Sequence, residues 1–182
     1  MDATSTHPTI AQGDHKAFME YALDQARLSP PAPTKFNVGA VLVDGDTGRI
    51  LSTGYTSELL SELPSDGGTI HAEHCCLIKV AENHNIPEQR LGDVLPTNTV
   101  LYTTMEPCNE RLSGQRSCVD RLLEFKDSIR VVYFGISEPG ILVLSDDGRR
   151  RLEDAGIEVR QMDSMQDQIL AVTTGGRQLW HR

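Results

Sequence analysis

Three side chains from three separate stretches, His71, Cys108 and Cys118, form a donor set for one metal ion, so the fold must bring those stretches to a single point. One imidazole and two thiolates leave the fourth tetrahedral position of a zinc ion open to water. Structural zinc sites close that position with a fourth protein ligand, whereas catalytic sites keep it free. Glu73 stands two residues after the histidine, placed to carry a proton for that water. In mid-helix, residues two apart point away from each other. His71 and Glu73 converge only at a helix start, and Gly67-Gly68-Thr69 supplies one, with Thr69 the predicted N-cap. Cys108 follows Pro107 at a strand end. Ser117-Cys118-Val119-Asp120 reads as a capping box, which puts Cys118 in a first helical turn where the dipole favours a thiolate.

Around these residues the apolar pattern alternates between helical and strand periods. Helices are predicted over 14–28, 70–83, 118–126, 146–155 and 164–174. A hairpin is predicted over 36–43 and 49–55, and further strands over 100–104, 130–135 and 157–159. Asp14 caps the first helix, and Gly175-Gly176 stops the last. Strands alternating with helices predict an α/β fold with parallel members in its sheet and both faces covered. One domain is expected over 1–182, with a flexible N-terminus at 1–13, a core over 14–160 and a C-terminal helix and tail over 161–182.

A formal net charge of −9, from 26 acidic against 17 basic side chains, argues against a reader of nucleic-acid backbones. Four Phe, four Tyr and one Trp give little sign of an aromatic channel for single strands. No apolar run approaches the roughly 20 residues of a membrane helix. The first residues lack the basic and apolar segments of a signal peptide, so a soluble cytoplasmic protein with reduced thiols is expected. Cys75 and Cys76 read as buried helix thiols rather than ligands. His74 either faces the pocket or packs within its helix. Arg149-Arg150-Arg151 reads as a solvated helix face, and His7, His15, His84 and His181 carry no signal.

With its His-x-Glu and Pro-Cys motifs the chain resembles the cytidine-deaminase superfamily, over about Phe36 to Gly135. The stretch from Leu101 to Gly114, which includes Met105-Glu106-Pro107-Cys108-Asn109-Glu110-Arg111-Leu112-Ser113-Gly114, is similar to the riboflavin-pathway pyrimidine deaminases, most closely the fungal type. Most superfamily members place two residues between the cysteines. Here nine intervene, Asn109 to Ser117, and Ser117 stands where proline commonly precedes the second cysteine.

The resemblance implies a three-layer α/β/α cytidine-deaminase-like fold with a five-stranded mixed sheet, a Zn²⁺ cofactor and a homodimer. It implies a small-molecule pyrimidine phosphate as substrate, with no nucleic acid and no membrane. That substrate is 2,5-diamino-6-ribitylamino-4(3H)-pyrimidinone 5′-phosphate, deaminated to 5-amino-6-ribitylaminouracil 5′-phosphate in riboflavin biosynthesis. Bacterial relatives act on the ribosyl form and carry a fused reductase; a chain with no room for one fits reduction before deamination. By the same resemblance Asn37 reads the pyrimidine edge, while Arg111, with Arg116 a weaker candidate, meets the phosphate and Ser113 adds a hydroxyl. The residues leave alternatives open: a cytidine, deoxycytidylate, guanine or tRNA-adenosine deaminase, or a non-catalytic zinc-stabilised binding module.

Overall fold

In the computed structural model, which describes residues 6–30, 32–59, 69–111, 114–139 and 147–177, helix α1 (His15–Ala26) begins where Asp14 accepts a hydrogen bond from the Ala17 amide. Phe18, Met19, Ala22, Leu23 and Ala26 recur at helical spacing and are all buried. Strand β1 (Gly39–Asp44) is buried along its whole length, as an apolar run covered on both faces must be. Its alternation sends Ala40 and Leu42 into one apolar layer and Val41 and Val43 into the other. Strand β2 (Ile50–Tyr55) returns beside it as the predicted hairpin.

The remaining elements are α2 (Ala72–Asn83), β3 (Thr99–Met105), α3 (Cys118–Glu124), β4 (Ile129–Ile136), α4 (Asp147–Asp154), β5 (Glu158–Gln161) and α5 (Gln166–Thr174). The sheet order is β2-β1-β3-β4-β5. Its first three strands pair antiparallel and its last three parallel. Side chains of α2, α3 and α4 (Leu77, Val80, Val119, Leu122, Leu152) share one buried cluster. Those of α1 and α5 (Leu23, Ile169), with Met165 just before α5, share the other. The fold is a three-layer α/β/α arrangement on a five-stranded mixed sheet.

Several expectations change. Residues 6–13 are held rather than loose: His7 Nδ1 lies 3.1 Å from the Tyr21 hydroxyl, Gln12 Nε2 donates to Gly45 O, and Ile10 packs on the α1 layer. The first strand begins at Gly39, because 36–38 is bonded to residues outside the sheet, with the Val38 amide donating to Thr56 Oγ1 and the Asn37 amide to Thr173 O. Glu88–Asp93 forms an unanticipated 3-10 turn. Most of the acidic loop, residues 60–68, and the end of the tail with Trp180 lie outside the described residues.

Two glycines set how closely the helices approach. A Cβ at Gly39 would stand 2.0 Å from Ala22 O, and one at Gly54 only 2.2 Å from Ala72 O. α1 and α2 therefore rest their backbones directly on β1 and β2, and the first turn of α2 is seated immediately after His71. In open α/β sheets ligands bind beyond the carboxyl ends of parallel strands. Here β3 ends at Met105 and β4 at Ile136, beside the start of α2.

Candidate active site

His71, rather than Thr69, is the N-cap of α2, with φ −72° and ψ 155°. The correction sharpens the local geometry: an extended His71 is free of the helical screw, so it and Glu73 can share one side. Thr69 instead offers its carbonyl to Arg111 Nη2 at 3.1 Å. Cys108 lies beyond β3, where its sulfur accepts from the Cys118 amide at 3.3 Å and its carbonyl from the Val119 amide at 3.1 Å. α3 starts with the predicted capping box: the Asp120 amide donates to Ser117 Oγ, and the Asp120 carboxylate accepts from the Ser117 amide. Serine before the second cysteine is thus a functioning cap.

Both sulfurs stand 3.5 Å from His71 Nδ1. Ordinary Zn–S and Zn–N bonds at a tetrahedral angle give an edge of about 3.6 Å. The three donor atoms all lie within 4.8 Å of one another. Their protons are in conflict. The hydrogen bond with Cys118 draws the Cys108 thiol down to about 4, with burial opposing and His71 assisting. The same bond, with burial, pushes Cys118 up. Burial disfavours charge on His71, yet Cys108 and Glu73 outweigh it and raise its pKa. A divalent cation resolves such a conflict by displacing protons, so the residues present fit zinc.

Glu73 is only 5% exposed. Its Oε2 lies 3.5 Å from Cys118 Sγ and its Oε1 3.2 Å from Thr103 Oγ1. Burial raises its pKa, with His71 opposing. Thr103 Oγ1 also lies 3.0 Å from Met105 O. A hydroxyl has one proton to give. Thr103 can donate to ionised Glu73, or donate to Met105 O while accepting from protonated Glu73. One side chain therefore serves both states of the carboxyl group.

A cleft of about 410 Å³ opens over His71, Glu73 and Cys108, with Phe36 and Met105 as apolar walls. Arg111 lines it, as expected. Ser113 lies outside the described residues. Asn37 is not brought into the cleft: its Nδ2 donates to Val172 O at 3.1 Å, in the last turn of α5, a carbonyl that also accepts from the Gly175 amide. Arg116 does not line the cleft and pairs with Glu124 at 2.7 Å. His74 packs rather than facing the pocket, bonded to Glu88 at 3.0 Å. Cys75 and Cys76 are fully buried thiols. Arg151 is exposed, as a solvated helix face requires, and bonds to Asn109 and Asp120.

Lys35, Glu106 and Glu138 also line the cleft and were missed from sequence. Glu106 carried a signal, being next to Pro107-Cys108; it accepts from Ser137 Oγ at 3.0 Å. Glu138, whose pKa burial raises, reaches the cleft from the end of β4 and carried none.

Three donor side chains that could hold a metal ion, with a buried carboxyl group beside them, suit hydrolysis, and on this three-layer fold they point to the class of zinc-dependent deaminases. Residues 12–136 match the sequence model of the cytidine and deoxycytidylate deaminase zinc-binding region, and the chain belongs to that family. It is 35% identical over 163 residues to the diaminohydroxyphosphoribosylamino-pyrimidine deaminase of Schizosaccharomyces pombe, covering 90% of this chain. It spans only 36% of that curated relative. The crystal structure of Aspergillus oryzae Rib2 deaminase, a C-terminal deletion mutant, superposes with a TM-score of 0.76 at 40% identity, covering 89% of this chain and 91% of that one. The same mutant in complex with DARIPP superposes with a TM-score of 0.75 at the same identity and coverage. Acinetobacter baumannii RibD shares the fold at 22% identity, with a TM-score of 0.63 over 89% of this chain and 38% of that one.

Proposed function

We propose that this chain hydrolytically deaminates 2,5-diamino-6-ribitylamino-4(3H)-pyrimidinone 5′-phosphate to 5-amino-6-ribitylaminouracil 5′-phosphate in riboflavin biosynthesis. The observation that carries the chemistry is the buried Glu73 carboxyl group, held by Thr103 and lying 3.5 Å from a candidate ligand sulfur at the floor of the cleft. The substrate is supported by 40% identity to Rib2 deaminase and by that protein's complex with DARIPP.

In this reading His71 Nδ1 and the sulfurs of Cys108 and Cys118 hold the zinc ion, which supplies Lewis acidity for activating water. Glu73 takes a proton from the attacking water as its oxygen adds to the amino-bearing ring carbon. It passes that proton to the ring nitrogen, then takes the second proton from the added hydroxyl and gives it to the leaving amine, so that the C–N bond breaks, the ring carbonyl forms and ammonia departs. A carboxyl group with a raised pKa suits both directions of transfer near neutral pH. Phe36 and Met105 exclude water around the ring, and Arg111 meets the phosphate. The same reading makes the whole chain, 1–182, one deaminase domain acting in the cytoplasm as a homodimer, which light scattering reads as twice 20.1 kDa.

The test is ammonia release by zinc-loaded protein from the ribitylamino and ribosylamino pyrimidine phosphates, cytidine, dCMP and guanine. Preference for the ribityl compound supports the proposal. Preference for the ribosyl compound keeps the pathway and reverses the order of steps. Turnover of the other three alone overturns the substrate, and silence on all five overturns the activity.

A further inference from the structure

Nine residues separate the two candidate cysteine ligands, so their spacing is set by something other than a short covalent link. Part of the answer lies on α4. Arg151 Nη1 donates to Asn109 Oδ1 at 2.6 Å, and Nη2 to Asp120 Oδ1 at 2.5 Å. Asn109 directly follows Cys108. Asp120 closes the capping box of the helix that begins at Cys118.

A second contact on α4 reaches the same two segments. Gly148, three residues before Arg151 and on the same helix face, packs tightly against them. A Cβ there would stand 3.0 Å from Asn109 Cβ and 3.3 Å from a Val119 methyl. One face of one helix therefore touches the immediate neighbours of both cysteines, by close packing at Gly148 and by a two-armed guanidinium at Arg151.

We propose that Arg151 is a positioning residue for the metal centre: it spans the two cysteine segments and holds the Cys108 and Cys118 sulfurs at the spacing a zinc ion requires. The inference rests on the reading of His71, Cys108 and Cys118 as ligands. A planar guanidinium reaches two acceptors in different directions, which a lysine ammonium on one stem does less well. The Arg151–Asp120 pair is 42% and 37% exposed, and an ion pair this open contributes little to global stability. Its effect belongs in metal retention rather than in folding.

The experiment follows zinc transfer from the intact protein to a chromophoric chelator, with cobalt substitution as a separate readout of the ligands. Arg151→Ala is expected to release zinc roughly ten- to a hundredfold faster, the usual cost of losing a group that orients a metal ligand. Thermal unfolding of the zinc-free protein should not change. Arg151→Lys and Asn109→Ala should fall between, and Asn109→Ala combined with Arg151→Ala should be no worse than Arg151→Ala alone. Arg150→Ala, which removes a charge paired with Asp147 inside the same helix, should behave as wild type. Unchanged release from Arg151→Ala, or equal loss from Arg150→Ala, overturns the proposal. If Arg151→Ala does not fold, the lysine and Asn109 variants read the same quantity, and wild-type release from both overturns it. The ligand reading is tested independently: cobalt-loaded wild type should show thiolate-to-metal charge-transfer bands that weaken in Cys108→Ser and Cys118→Ser. Their absence from wild type refutes the ligands themselves.

Discussion

At the scale of single residues, the site turns on what happens to a carboxyl group when water is taken away from it. Glu73 sits where its neutral form is favoured by burial and its charged form by His71, and Thr103 can partner either. Glu73→Gln keeps the shape and removes the proton carrier. It should retain stoichiometric zinc while kcat falls by about a hundred- to ten-thousandfold; normal turnover by the Gln variant would falsify the assignment. Arg111 anchors to Thr69 O on the cleft wall next to His71. Arg111→Ala should raise KM for the phosphorylated substrate roughly tenfold or more, the worth of one charge-assisted hydrogen bond, and leave a dephosphorylated analogue unaffected. An equal effect on both would remove Arg111 from the phosphate.

At the scale of elements, the site depends on how two helix starts are held. α2 is seated by Gly54, and Gly54→Ala would drive a methyl group into the Ala72 carbonyl. Overpacking of this kind costs about 1–3 kcal/mol, and a lower urea midpoint measures it. α2 and α3 are also tied through Glu88, which bonds to His74 at 3.0 Å and to Arg121 at 3.3 Å. Burial opposes the Glu88 charge, but these two partners outweigh it and lower its pKa below 4.5. A carboxylate with a depressed folded-state pKa contributes stability above its unfolded value and loses it as pH falls through the folded one. The gap in urea midpoint between wild type and Glu88→Gln should therefore be full at pH 7 and shrink steadily below pH 4.5. A gap that stays constant into acid would show that the charge does not hold the helices.

At the scale of the whole molecule, two apolar layers meet on a single sheet, and the candidate metal site joins the start of α2, the segment after β3 and the start of α3. A zinc ion held by these three side chains would bind only the assembled arrangement, so its binding energy would add to folding. Chelation should lower the thermal midpoint of one cooperative transition, and added zinc should restore it. Two separate transitions would contradict a single domain; an unmoved midpoint would contradict a metal bound by the native state alone.

What the residues establish unaided is local. His71, Cys108 and Cys118 could be picked out as candidate ligands because metal-ligand chemistry admits few side-chain types, and Glu73 as a candidate proton carrier from its place two residues after His71; the structure brings all four together. The Ser117 cap was legible because capping involves neighbours in the chain. The order of elements followed from hydrophobic period, and α4 and α5 were both anticipated. The shift of the α2 cap from Thr69 to His71, the diversion of Asn37 to α5, and the arrival of Lys35 and Glu138 at the cleft were not legible. Each depends on a partner far away in sequence: Asn37 meets Val172, and Arg151 meets Asn109 and Asp120. Chemistry is carried by residue type and by spacing along the chain, but the choice of partner across it is made when the layers pack, and only the tertiary structure holds that information.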